Sequence, residues 1–136
     1  MRTFVDFTSD EFPPYPGEEE EVNPGLWGKS LAEYIVSKLS DHGIITDEFY
    51  PEDWGWEIPV SNQAFPIYIG CTNARERGGN KFVCSIDPHK PTIRRGLLFQ
   101  KVSTESDVAR VADALDAILR SHPGIKDLSW RNEGYR

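Results

Sequence analysis

The spacing of apolar residues changes period several times along this chain, and each change marks an expected element. Residues 2–8 alternate weakly around Phe4, Val5 and Phe7, which predicts a first strand. From Trp27 onward Leu31, Tyr34, Ile35 and Leu39 recur at spacings of three and four, with the Lys38 stem at the edge of the apolar face. That is the pattern of an amphipathic helix. Asn23-Pro24 is its expected opening, because asparagine suits the N-cap and proline is harmless at the first helical position. Gly43 is the expected stop.

Period two returns over 44–50, 54–60, 65–71 and 82–86. In 54–60 the residues Trp54, Trp56, Ile58 and Val60 share one side, as in a half-buried strand, with Pro59 on the other side marking an edge or bulge. Pro51-Glu52-Asp53 reads as a turn, and 72–80, with Gly78-Gly79, as a hairpin connection. The stretch 93–102 follows neither period cleanly; a further strand around Leu97, Leu98 and Phe99 is one reading of it. A second helix is expected from Thr104, capped with Asp107 three residues on. Its stripe is Val108, Val111, Ala112, Leu115, Ile118 and Leu119, and His122-Pro123-Gly124 ends it. Leu128 and Trp130, two apart, predict a short last strand.

Helices separated by a run of antiparallel strands indicate an α+β fold. The expectation is a two-layer sandwich, with a mostly antiparallel sheet of about five to six strands and two helices on one face. No repeat or composition break divides residues 1–136, so a single domain is expected. Residues 10–21 combine three prolines with four successive glutamates and are expected to form an exposed acidic loop, with Phe12 and Tyr15 pinning it.

Charge sharpens this picture more than composition does. The net charge is −7, yet residues 1–23 hold one base and seven acids, and residues 24–74 hold two bases and seven acids. Residues 75–101 reverse the sign with seven bases and two acids. A nucleic-acid binder normally carries a net basic footprint, so nucleic acid is not the expected partner. No apolar run approaches the roughly 20 residues that span a bilayer, and the first residues lack a signal-peptide layout, so a cytoplasmic protein is expected. Cys71 and Cys84 fall on the apolar phase of adjacent strands and in no metal-ligand spacing. Buried thiols are therefore expected, and no metal or cofactor.

Three groups of residues are candidate sites. Glu52-Asp53-Trp54-Gly55-Trp56-Glu57 places two carboxylates ahead of an aromatic-glycine-aromatic strand start. It is a solvated turn and core strand, an interface platform, or, with tryptophan raising a carboxyl pKa, an acid–base site. The acidic loop, with Tyr15, Glu18, Glu19 and Glu20, is either a loosely pinned connection or a surface that steers a basic protein. Arg75, Arg77, His89, Arg94 and Arg95 are either solvated or hold an anion, since guanidinium groups grip carboxylate and phosphate. His42 and His122 lie at expected helix C-termini, where an imidazolium complements the dipole. No HExxH, GxSxG or P-loop is present.

Trp27-Gly28, Leu31 and Gly43, followed by Glu52-Asp53-Trp54-Gly55-Trp56 and Ile69-Gly70-Cys71, resemble a group of small uncharacterised bacterial α+β proteins over roughly residues 23–130. That resemblance implies no activity. In size, acidity and lack of catalytic motifs the chain is also similar to immunity proteins that neutralise bacterial toxins. The expected function is thus non-enzymatic binding of a basic protein partner, in the manner of a toxin-immunity inhibitor. The alternative is a small enzyme or anion-binding domain using Glu52 and Asp53 with His89 and Arg94 or Arg95. A third reading is self-association, with the acidic first half of one copy against the basic segment of another.

Overall fold

The computed structural model describes residues 2–61, 66–74, 79–88 and 97–132, with side chains of the last span from residue 105 onward. In chain order the elements are β1 (Phe4–Ser9), α1 (Glu18–Glu21), α2 (Lys29–Leu39), a 3-10 turn (Ser40–His42), β2 (Tyr50–Glu52), β3 (Gly55–Val60), β4 (Ile67–Asn73), β5 (Lys81–Pro88), α3 (Leu97–Arg120) and β6 (Ile125–Arg131). The six strands form one sheet in the order β2-β3-β4-β5-β1-β6, and every neighbouring pair is antiparallel. One antiparallel sheet with three helices places the chain in the α+β class.

Register puts each strand's apolar phase on one side. Val5 lies opposite Cys84, Cys84 opposite Cys71, and Cys71 opposite Trp56. Ile86, Ile69 and Ile58 make the next row. These rows join Leu31, Ile35 and Leu39 of α2 and Val108, Val111, Leu115 and Leu119 of α3 in a single buried cluster. A buried leucine or isoleucine of this kind contributes about 1.5–3 kcal/mol relative to exposure. The stripe read from the second helix is therefore the stripe that is buried. Gly43 ends the 3-10 turn with φ 73°, a conformation that favours glycine, and its N–H donates to the Ser40 carbonyl.

Several boundaries differ from the sequence expectation. The helix expected to open at Asn23-Pro24 is α2 and begins at Lys29; Asn23-Pro24-Gly25 is a turn, and Trp27 precedes the helix. The reason lies outside the helix, in the Glu18 carboxylate described below. Residues 44–50 do not form a strand: Thr46 makes one bridge to Val60, and β2 occupies 50–52, where a turn was expected. Pro51 is tolerated there because β2 is an edge strand. The Pro59 carbonyl accepts from the Asp47 N–H, so the nitrogen of Pro59 faces the same edge side and no ladder bond to β4 is lost. Thr104 is not a cap. The helix already runs from Leu97, which replaces the strand reading of Leu97 to Phe99. The expected loop at 10–21 contains the helical turn α1, and Phe12 and Glu18 within it are buried.

Candidate functional site: an acidic and aromatic surface

Glu18 organises the acidic segment at 10–21, which is not the exposed loop its composition suggests. Its side chain is only 1% exposed. One carboxylate oxygen accepts from the Tyr15 N–H at 2.9 Å. The other accepts from the Gly28 and Lys29 N–H groups, both at 2.8 Å, and from the Trp56 indole Nε1 at 2.9 Å. Gly28 and Lys29 are the N-terminus of α2, so a carboxylate ten residues upstream does the work of an N-cap and meets the positive end of the helix. Lys29 Nζ stands 5.2 Å from the centre of the Trp56 ring.

Asn73 fixes the other end of the same segment. Its Oδ1 accepts from the Trp27 N–H at 2.9 Å, its Nδ2 donates to the Gly25 carbonyl at 3.0 Å, and its own N–H donates to the Trp27 carbonyl at 2.9 Å. Gly28 then lies so close to β4 that a Cβ would stand 2.4 Å from the Cys71 carbonyl oxygen. Only glycine fits there.

With the segment fixed, two acidic stretches far apart in sequence become neighbours. Asn23 Nδ2 donates to the Asp53 carbonyl at 2.7 Å, which sets α1 beside the turn between β2 and β3. Glu19, Glu20, Glu21 and Asp53 are exposed, and Glu19 accepts from the Gly25 N–H. Trp54, at the tip of that turn, is 41% exposed, whereas Trp56 is 3% exposed. The alternation that put both rings on one side fails because Gly55, at φ 156° in a region side chains rarely adopt, reorients the chain between them.

Trp54 lies instead over the opposite face of the sheet. Gly70 is buried, and a Cβ on it would stand 2.8 Å from Trp54 Cη2 and 2.6 Å from Ser85 Oγ. Gly70 is also the register partner of Glu57, and Glu57 of Tyr50. The row across this face thus reads Tyr50, Glu57, Gly70 under the Trp54 ring, then Ser85. The Tyr50 hydroxyl donates to Glu57 Oε2 at 2.6 Å. That bond, burial and the Glu57 charge raise the Tyr50 pKa above the ordinary phenol range, with smaller contributions from Tyr68 and Glu52. Tyr50, Tyr68, Glu52 and Glu57 therefore share one neighbourhood.

The predicted residues divide accordingly. Glu19, Glu20, Asp53 and Trp54 come together with Glu52 at one corner. Glu18 and Trp56 bind each other in the interior and are removed from any contact surface. Tyr15 is exposed, and its hydroxyl donates to Glu33, which with the Glu33 charge raises its pKa. Arg75, Arg77, His89, Arg94 and Arg95 lie outside the described residues; of the basic segment, Lys81 donates to Thr8 Oγ1 at 2.8 Å. His42 and His122 sit at the helix ends as expected, the His122 ring packing on Phe12 and Tyr34. Cys71 and Cys84 are fully buried free thiols, and the contact with Cys84 together with burial holds the Cys71 pKa well above the thiol range.

The candidate sites omit Tyr50, Tyr68 and Gly70, and Glu57 enters them only as the last residue of the 52–57 motif. Their signal was present in the polar phase of the strands, at alternate positions to Ile58, Ile69 and Cys71. Among the described residues no group of His, Cys, Asp and Glu could hold a metal ion, and no helix is long and apolar enough to cross a membrane. No family model matches the chain, and no curated protein and no solved structure matches it.

Proposed function

We propose that this protein is a non-enzymatic binding domain that docks a basic protein partner on the corner formed by α1, the β2–β3 turn and the adjoining sheet face. In this reading α2 and α3 cover one face of the sheet as the second layer of a two-layer sandwich, and the other face is left for the partner. The observation that carries it is the bond from Asn23 Nδ2 to the Asp53 carbonyl, which gathers carboxylates from two distant segments around an exposed tryptophan. Clustered like charge speeds encounter with an oppositely charged protein, and a tryptophan at the centre supplies the contact area typical of interface hot spots. An inhibitor of a basic toxin is one function such a surface would serve.

The test is capture of partners from the native host by immobilised protein, at low and at moderate salt. Wild type is compared with a variant carrying Glu19→Gln, Glu20→Gln and Asp53→Asn. A basic protein held by wild type, released by salt and lost from the variant supports the reading. Capture that ignores both salt and the three substitutions sinks it.

A further inference from the structure

The protein already binds guanidinium groups in a particular way, once on the sheet face opposite the buried core and once on the side that α3 covers. Arg131, on β6, stacks over the Phe4 ring at 5.1 Å from its centre and grips Asp6 with two bonds, from Nε at 2.7 Å and from an Nη at 2.9 Å. Arg2 stands 5.1 Å from the centre of the Trp130 ring and pairs with Asp113. Each site combines an aromatic face with a carboxylate, and each is filled by an arginine of this chain.

The β2–β3 end of the sheet offers the same two components. Trp54 is seated on Gly70, where the missing Cβ lets the indole settle on the backbone. Glu57 is the cross-strand partner of that glycine, a separation of about 5 Å. Tyr50 holds one Glu57 oxygen at 2.6 Å and so sets the direction of the carboxylate. Glu52 and Asp53 lie at the near end of β2 and in the turn. Among the described residues, no arginine or lysine stacks on Trp54 or pairs with Glu57.

We infer that Trp54 and Glu57 form a receptor for an arginine side chain presented by the basic partner, and that it discriminates arginine from lysine. The inference rests on the docking surface proposed above and deepens it. A guanidinium is planar: it stacks on an indole face while its edge donates two parallel bonds to a carboxylate. An ammonium has no plane to stack and keeps its hydration more strongly. Charge complementarity alone would treat the two cations alike. The fixed carboxylate beside a seated ring would not.

The experiment uses the full chain and two capped peptides, Gly-Arg-Gly-Arg-Gly and its lysine counterpart, titrated while the Trp54 indole N–H resonance is followed. Trp54→Phe assigns the signal. The arginine peptide is expected to shift that resonance and to bind about three- to tenfold more tightly than the lysine peptide. Trp54→Ala, followed through the backbone amide resonances of Glu57 and Gly70 because the indole is gone, and Glu57→Gln should each bring the ratio to about one. Asp41→Asn, at an exposed site in the turn after α2 and outside the docking surface, should leave the ratio unchanged. Equal binding of the two peptides, no binding of either, or a ratio that survives Trp54→Ala overturns the inference. Equal, salt-sensitive binding would leave the docking surface standing without the receptor, whereas host capture that ignores salt removes the docking surface itself.

Discussion

Replacing Glu18 with alanine should be among the most damaging single changes in the chain, despite its place in a run of four glutamates. The substitution strips the acceptor from four N–H groups. Two of them, the Gly28 amide and the Trp56 indole, are buried where water cannot substitute; the Tyr15 and Lys29 amides are partly reachable and can rebond to solvent. Leaving a buried donor unsatisfied costs about 1–3 kcal/mol, so the two together give a loss of roughly 3–4 kcal/mol. For a chain of this size that corresponds to a fall in Tm of about 10–15 °C. Glu18→Gln keeps an oxygen for three donors but turns an NH2 group toward the Tyr15 N–H, and its neutral bonds are weaker, so about half the loss is expected. Urea titrations of the three proteins, with exposed Glu20→Ala as control, give the comparison. A double-mutant cycle with Trp56→Phe should show a coupling of about 1 kcal/mol between the two side chains. If Glu18→Ala costs no more than Glu20→Ala, the carboxylate is not what holds this segment.

Other consequences are as direct. Gly28→Ala drives a Cβ into the Cys71 carbonyl, which as backbone cannot yield, and should cost about 3 kcal/mol or more by urea titration; Gly70→Ala meets only the movable ends of Trp54 and Ser85 and should cost about 1 kcal/mol. The Gly70 variant should also raise quenching of tryptophan fluorescence by acrylamide, because the Trp54 ring loses its seat; unchanged quenching would contradict the placement of that ring. Phe12→Ala, which empties a contact with Phe82, Tyr34 and His122, should destabilise by about 3–5 kcal/mol, and a loss below about 1 kcal/mol would mean the proline segment is not anchored through it. The Cys71 thiol is held neutral in the fold, so its contribution is complete below the unfolded thiol pKa of about 8.5 and declines as pH rises beyond it. The urea midpoint of wild type should therefore fall more steeply between pH 7.5 and pH 9.5 than that of Cys71→Ala, and parallel curves would refute this.

What was legible in the sequence depended on whether the deciding interaction was local. The apolar stripe of Val108 to Leu119 and the alternation of Ile58, Ile69, Cys84 and Ile86 reflect burial, which a period reports directly. The start of α2 was misplaced because its cap is Glu18, and nothing in the spacing of Glu18 and Lys29 reveals a bond across a turn. One glutamate of four was buried, yet all four look alike in sequence. Trp54 and Trp56 were placed on one side because alternation carries no sign of the Gly55 backbone. The conjunction of α1 with the β2–β3 turn depended on Asn23, Asp53 and Asn73, each ordinary in isolation. Acidity was visible from composition; its concentration at one corner was not.

The central claim is that a basic partner seats on the Trp54 corner by way of an arginine. Backbone and indole resonances of the isotope-labelled protein, recorded as the captured basic partner is added, test it most directly. The account predicts the largest changes at the Trp54 indole, Glu57 and Gly70, with smaller ones at Glu19 to Glu21. Changes centred on α3 or β6 while the Trp54 corner stays silent, or scattered evenly over the acidic residues, would contradict it.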